Sequence, residues 1–329
     1  MKKRILILFL IMMVLTLGNY TLEDQIGGKE KTDNHVYSTS TSEVADELTA
    51  NHPANKQINS NFDEDLICES AILIDESSGE VLFEKEALKK MYPASTTKIL
   101  TALLFMNMGN NSDLIVVGDE INRVAVDASK AGLNHDEQIS YKDLLSALMI
   151  PSGNDAAYVI AKYIGAQQVG EIDSNVALES FITLMNTYGE DLGLKNSHFE
   201  NPDGYHNDKH YSCSYDLAII TKEAMKYDLF RKIVNTSYYD MLETNQLNKT
   251  EGGTRSWINT NQLLFEGTDY YFEFATGVKT GFTDQAGYCL VSSATYDGRS
   301  VIAVVLNSTE NGRYEDGIKL LRYGLDSTN

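Results

Sequence analysis

Ser95 and Lys98 stand three residues apart at the head of the apolar run YPASTTKILTALLFM. A serine hydroxyl is a poor nucleophile until a neighbouring base takes its proton. Residues i and i+3 of a helix share a face, so this spacing brings Oγ and Nζ within reach of each other. A lysine pressed among the apolar residues Ile99 to Met106 is desolvated, which disfavours its charged form and lowers its pKa toward that of a general base. The same two residues also suit a plainer arrangement, in which Lys98 snorkels its amine to solvent and Ser95 caps the helix.

Two further polar segments interrupt apolar patterns. Ser152-Gly153-Asn154 in PSGNDAA links the end of one apolar helix pattern to the start of the next. A short link of this kind can project a hydroxyl and an amide into a cleft, or it is a helix break that Asn154 or Asp155 caps. Lys279-Thr280-Gly281 in GVKTGFT enters a strand that should lie at a sheet edge. There the lysine can supply positive charge, the threonine a hydroxyl for a carboxylate, and the glycine room for a close approach; a lysine that merely keeps an edge strand soluble is the alternative. An exposed edge can also take a peptide as an added strand.

These residues need a frame. Two apolar-rich runs, 71–74 and 80–83, flank Asp75 to Gly79 and predict a hairpin. Helical patterns follow at 95–108, 140–150, 154–165, 176–192 and 214–227. After Thr276 come strand patterns with a turn at Asp297-Gly298, then the periodic RYEDGIKLLRYGL. Strands from both ends of the chain with helices between them predict an α+β fold: one antiparallel sheet, flanked by helices, with an inserted helical subdomain and a cleft between insertion and sheet.

The 329 residues carry a net charge of -20 with a pI near 4.6, which excludes a nucleic-acid partner, because phosphate backbones demand a basic footprint. Residues 1–18 open with Lys2, Lys3 and Arg4 and continue through apolar Ile5 to Leu17, the pattern of an export signal. The run is short for a membrane span, and its only small pair is Thr16 and Gly18, so a cleaved signal peptide and an uncleaved N-terminal membrane anchor both stay open. Residues 19–65 are polar and aperiodic and read as a flexible linker. Three cysteines, Cys68, Cys213 and Cys289, allow at most one internal disulfide, and Cys289 reads as a small buried side chain.

Ser95/Lys98, Ser152/Asn154 and Lys279-Thr280-Gly281 occur in the order and kind of the active-site motifs of penicillin-binding proteins and β-lactamases. Together with AILIDESSGEVLFEK, HFENPDGYHNDKHYSCSYDLA, WINTNQLL and GVKTGFTDQAGYCLVSSA, they make residues 66–326 resemble the serine-type D-alanyl-D-alanine carboxypeptidases, the low-molecular-mass penicillin-binding proteins of the peptidase S11 family. The resemblance implies a β-lactamase/transpeptidase-like fold and an acyl-enzyme on Ser95, with Lys98 as its proton acceptor. It makes Ser152 and Asn154 proton relay and peptide guide. Lys279, Thr280 and Gly281 become the binding strand for the terminal carboxylate, and the backbone N–H groups of Ser95 and Phe282 the oxyanion hole. It further implies a peptidoglycan stem peptide ending in D-Ala-D-Ala as substrate, β-lactams as covalent inhibitors, no cofactor or metal, and a place in the bacterial envelope outside the cytoplasm.

Some features depart from the family pattern. Relatives often carry a C-terminal β domain and anchor, which are not expected in a sequence ending at Asn329, so that attachment would be N-terminal. Cys213 stands where a threonine is expected. A β-lactamase would need a deacylating base, for which Glu200 is the candidate. A non-catalytic muropeptide-binding protein of the same fold is a third reading. His206, Asp208 and His210, with His198, could suggest a metal site, but their spacing is loose and the segment fits the serine family's loop.

Overall fold

Alternation along a few strands decides which way the sheet faces. In strand β9 (Arg299–Ser308), Val301, Ala303 and Val305 enter one buried cluster, while Ile302, Val304 and Leu306 enter another. Strand β1 (Ser70–Asp75) does the same with Ala71 and Leu73 against Ile72 and Ile74. Side chains two apart share a face, so a strand apolar at every position must be covered on both sides. The computed structural model describes residues 62–170, 173–241, 243–247 and 254–326. The expected export segment and most of the expected linker lie outside them.

β1 and β9 belong to a five-stranded antiparallel sheet with β2 (Val81–Lys85), β7 (Ala275–Thr283) and β8 (Gly287–Tyr296), in the order β2-β1-β9-β8-β7. The register runs from Ser70 opposite Leu306 to Asp75 opposite Val301, and Thr280 lies opposite Leu290. The sheet is therefore closed by joining the two ends of the chain, as expected, and β7 is an edge. Helix α7 (Gly312–Asp326) covers one face, placing Leu320, Leu321 and Leu325 on Leu73, Val301 and Val305. The other face carries the insertion: α1 (Lys98–Met108), α2 (Tyr141–Met149), α3 (Asn154–Val169), α4 (Ser174–Asp191), α5 (Ser214–Ala224) and α6 (Asp228–Val234).

α1 is wrapped on all sides, with every residue from Lys98 to Phe105 buried. Its capping is weak, so packing rather than end chemistry holds it. α2 begins at Ser140, whose hydroxyl accepts from Asp143 N. α5 begins at Cys213, whose Sγ accepts from Asp216 N at 3.4 Å, so the cysteine does the capping that a threonine would do.

Several elements were not legible beforehand. Strands β3 (Leu114–Val116) and β4 (Gln138–Ser140) pair with each other, as do β5 (Tyr238–Asp240) and β6 (Ser256–Ile258). Strands of three residues show no period, and their partners are far apart in sequence. Phe62, in the stretch expected to be linker, packs on Phe83 and Tyr323 at 4.6 and 5.3 Å between ring centroids. All three cysteines are unpaired and buried, so the one disulfide the sequence allowed is not formed.

Candidate active site

Ser95 lies in a 3₁₀ turn, Ala94–Thr97, that runs directly into α1. The expected α-helix therefore begins three residues later than its pattern. With three residues per turn, positions i and i+3 stack one above the other, and Ser95 Oγ lies 2.9 Å from Lys98 Nζ. Lys98 is wholly buried, so it does not snorkel to solvent. Its other partners are Asn154 Oδ1 and Asp203 O, both at 2.7 Å. Both are carbonyl oxygens and only accept. A neutral amine has two N–H groups and one lone pair; with the N–H groups directed at the two carbonyls, the lone pair faces the Ser95 hydroxyl. Burial lowers the pKa of Lys98 to about 8, against the opposing pull of Asp203 and Asp155.

The second wall is the link between α2 and α3. Ser152 has φ +63, a left-handed conformation that costs a non-glycine residue about 1 kcal/mol and persists only where its surroundings impose it. The surroundings do. Ser129 Oγ donates to Ser152 O at 2.7 Å, Gly153 N to Ala147 O at 3.0 Å, and Asn154 N to Ser129 O at 2.9 Å. Asp155 does not cap α3 by its side chain, as one alternative had it. Its carboxylate accepts from the amides of Ala131 and Gly132 at 2.8 Å, and of Leu133 and Ala156 at 3.0 Å, tying the 129–133 loop to the helix start.

The third wall is the free edge of β7. A Cβ at Gly281 would stand 3.1 Å from Ser95 N and Pro93 O, so glycine is what lets the strand and the Ser95 turn approach. Thr280 Oγ1 meets Thr260 Oγ1 at 2.5 Å. Lys279 is 1% exposed and donates to Thr280 O at 3.1 Å. Burial, then the neighbouring charges of Lys98 and Arg313, push its pKa well down.

Ser95, Ser152, Asn154, Thr280, Gly281 and Phe282 line one cleft of about 560 Å³, with Lys98 bonded beneath Ser95 and Lys279 behind Thr280. All eight residues singled out in the sequence thus meet at one place.

Other residues at the cleft were given no such part by the sequence. Arg313 lines the same cleft with its guanidinium over the rings of Tyr288 and Tyr314, at 4.9 and 4.6 Å, and its Nε is buried with no hydrogen-bond partner. The available signal was its position: an arginine in the first turn of a helix opposes the helix dipole and needs another reason to be there. Gly204 holds the NPDG loop against the Ser95 turn, with φ +79 and a Cβ position 1.9 Å from Ala94 O. His210 Nδ1 accepts from Glu200 N at 3.2 Å, so its Nε2 carries the proton and donates to Thr97 Oγ1 at 2.9 Å. Burial, aided by His198 and His206, holds its pKa down to about 3, which keeps that neutral tautomer. Both nitrogens are used in bracing the loop. Among the described residues no group of histidine, cysteine and carboxylate side chains is arranged to hold a metal. Glu200 pairs with His198 at 2.9 Å and is not among the residues lining the cleft.

A serine and a desolvated lysine under the edge strand of a sheet joined from both chain ends define a serine–lysine site on the β-lactamase/transpeptidase fold. Residues 55–310 match the family model described as D-alanyl-D-alanine carboxypeptidase, peptidase S11, and the chain belongs to that family. D-alanyl-D-alanine carboxypeptidase DacF of Bacillus subtilis is 36% identical over 260 residues, covering 77% of this chain and 61% of the relative. The D-alanyl-D-alanine carboxypeptidase of Streptomyces sp. K15 is 38% identical over 256 residues, covering 75% of this chain and 83% of the relative. The crystal structure of the Streptomyces K15 DD-transpeptidase superposes with a TM-score of 0.71 at 36% identity, over 80% of this chain and 98% of that one. The chain spans about three fifths of the length of the Bacillus relative, 61%.

Proposed function

We propose that the chain is a serine D-alanyl-D-alanine carboxypeptidase that removes the terminal D-alanine from peptidoglycan stem peptides, and that β-lactams acylate the same serine. The observation that carries this reading is the set of partners around Lys98 Nζ, which leaves a lone pair for the Ser95 hydroxyl. Ser95 Oγ attacks the carbonyl of the penultimate D-alanine while its proton passes to Lys98. The developing oxyanion is held by the backbone N–H groups of Ser95 and Phe282, preorganised donors that act where charge appears only in the transition state. The close contact at Gly281 supports that pairing of strand and turn. Ser152 and Asn154 guide the peptide and relay the proton to the departing amine of D-alanine. Water then attacks the acyl-enzyme and frees Ser95.

The terminal carboxylate sits at Thr280 and Arg313, with Lys279 behind. Arg313 is the cation with an unused donor in the cleft, which supports its part in this. The reaction uses no cofactor and no metal. Residues 66–326 form the catalytic domain, exported to the cell envelope by residues 1–18, either as a cleaved signal or as a membrane anchor. A β-lactamase needs a rapid deacylating base, and the pairing of Glu200 with His198 argues against it. Mass spectrometry with penicillin, and D-alanine release from a diacylated D-Ala-D-Ala peptide, test the reading beside Ser95→Ala. The expected result is a long-lived adduct on Ser95 and release that the variant lacks. No adduct and no release would overturn it, and rapid penicillin turnover would make the protein a lactamase.

A further inference from the structure

We propose that Thr260 is a positioning residue: its hydroxyl fixes the direction of the Thr280 hydroxyl, so that Thr280 presents its proton to the terminal carboxylate of the substrate. This rests on the carboxypeptidase reading and adds a residue to its carboxylate site.

Thr260 belongs to WINTNQLL, a stretch none of whose atoms the acylation of Ser95 requires. It follows β6 and is held from three directions. Its N–H donates to Ile150 O at 3.3 Å, two residues before Ser152. Its carbonyl accepts from the Tyr314 hydroxyl at 3.1 Å, and Tyr314, 1% exposed, adjoins Arg313 in α7. The flanking asparagines tie the turn to its surroundings and to itself: Asn259 Nδ2 donates to Thr236 O at 2.9 Å, and Asn259 Oδ1 accepts from Asn261 N at 2.9 Å. The backbone is therefore fixed where the Ser152 link, β7 and the start of α7 meet, and Thr260 lines the cleft there.

A hydroxyl has one proton and two lone pairs. Thr260 Oγ1 and Thr280 Oγ1 lie 2.5 Å apart, with one proton between them. If Thr280 gives that proton, only its lone pairs face the cleft, and a carboxylate, which itself only accepts, is repelled. If Thr260 gives it, the Thr280 oxygen is satisfied and its own proton is free for the cleft. A bound carboxylate selects the second arrangement, and the bond received from Thr260 polarises Thr280 into a stronger donor. Among the described residues no other side chain bonds the Thr280 hydroxyl, since Lys279 donates to the Thr280 carbonyl instead. Thr280 is 6% exposed, which limits the water that could take the part of Thr260.

The test compares acylation of Ser95 by benzylpenicillin, which carries a carboxylate, with acylation by its methyl ester, which does not, each read as a second-order rate by mass spectrometry. Thr260→Val keeps the shape of the side chain and removes the hydroxyl. It is expected to slow benzylpenicillin about fivefold to tenfold and the ester less than about twofold, because a hydrogen bond to a charged acceptor is the stronger one. Thr260→Ser is expected to keep the wild-type rates. In the Thr280→Val background, Thr260→Val is expected to add nothing, since it acts through a hydroxyl already removed. A merely structural loss would slow both compounds alike and would add to Thr280→Val. Either of those results, or unchanged benzylpenicillin acylation in Thr260→Val, would overturn the inference and leave the carboxypeptidase reading standing. No acylation of the wild type by benzylpenicillin would overturn that reading and the inference with it.

Discussion

Among the hollows of the described residues, two of nearly equal size stand in contrast: the cleft at Ser95, about 560 Å³, and another of about 530 Å³ where the turns at Asp75–Ser77 and Asp297–Ser300 meet α5 and α6. The second holds more charge, yet most of its charges pair off. Arg231 bonds Glu76, Arg299 Nε lies 3.9 Å from Asp75 Oδ2, and Lys226 Nζ lies 2.7 Å from Glu223 Oε1. Left-handed backbone occurs there at Asp297 and Gly298, φ +47 and +79, where the tight hairpin between β8 and β9 requires it. In the cleft, Ser152 and Ala94 are left-handed at φ +63 and +48 with no hairpin to explain them, and a sealed lysine faces a hydroxyl and two carbonyls rather than a carboxylate. Volume therefore does not mark the site. A sealed lysine bonded to a hydroxyl and two carbonyls, beside an enforced backbone, does.

The comparison breaks most sharply at Lys98. Lys98→Met keeps volume and removes the proposed base, and penicillin acylation is expected to fall about 10²- to 10⁴-fold. The pH profile carries the sign: only the neutral amine accepts the serine proton, so wild-type acylation falls about tenfold per unit as pH drops below about 8 and levels off above it. Stopped-flow acylation across that range reads both. Persistence of the same limb in Lys98→Met would assign it to another group.

Asp155 tests whether the cleft is rigid because it is tied. Asp155→Ala leaves the amides of Ala131, Gly132 and Leu133 without their acceptor, and urea unfolding is expected to show a loss of about 3 kcal/mol, with slower acylation as Ser152 relaxes. A loss below about 0.5 kcal/mol would mean that water replaces the carboxylate.

The smallest effect belongs to the second hollow. Lys222→Ala is expected to leave acylation unchanged and stability within about 0.5 kcal/mol, because the residue lines a surface on which most other charges are already paired. A measurable fall in acylation would couple the two hollows.

The strands of the main sheet were legible because both-faced apolar runs and a turn at Asp297-Gly298 leave few alternatives, and five of the six helices of the insertion because their patterns exceed two turns; α6, seven residues long, was not. β3 to β6 were not, since each is three residues long and is made by a distant partner. Asp203, His210 and Asp155 were equally hidden: each acts through a backbone group or a residue far along the chain, and no spacing announces such contacts.

The sequence by itself determined residue types and order: a serine one turn before a lysine, a Ser-x-Asn link between helices, a Lys-Thr-Gly strand, and the continuous apolar runs that bury the sheet on both faces. Only the tertiary structure decided that Lys98 lies sealed with two carbonyls for its N–H groups, that Lys279 is buried behind Thr280 and that Arg313 faces the cleft. The reason is physical. A side chain's intrinsic pKa and donors belong to its residue type, whereas desolvation and the direction of a lone pair belong to whatever the fold packs against it.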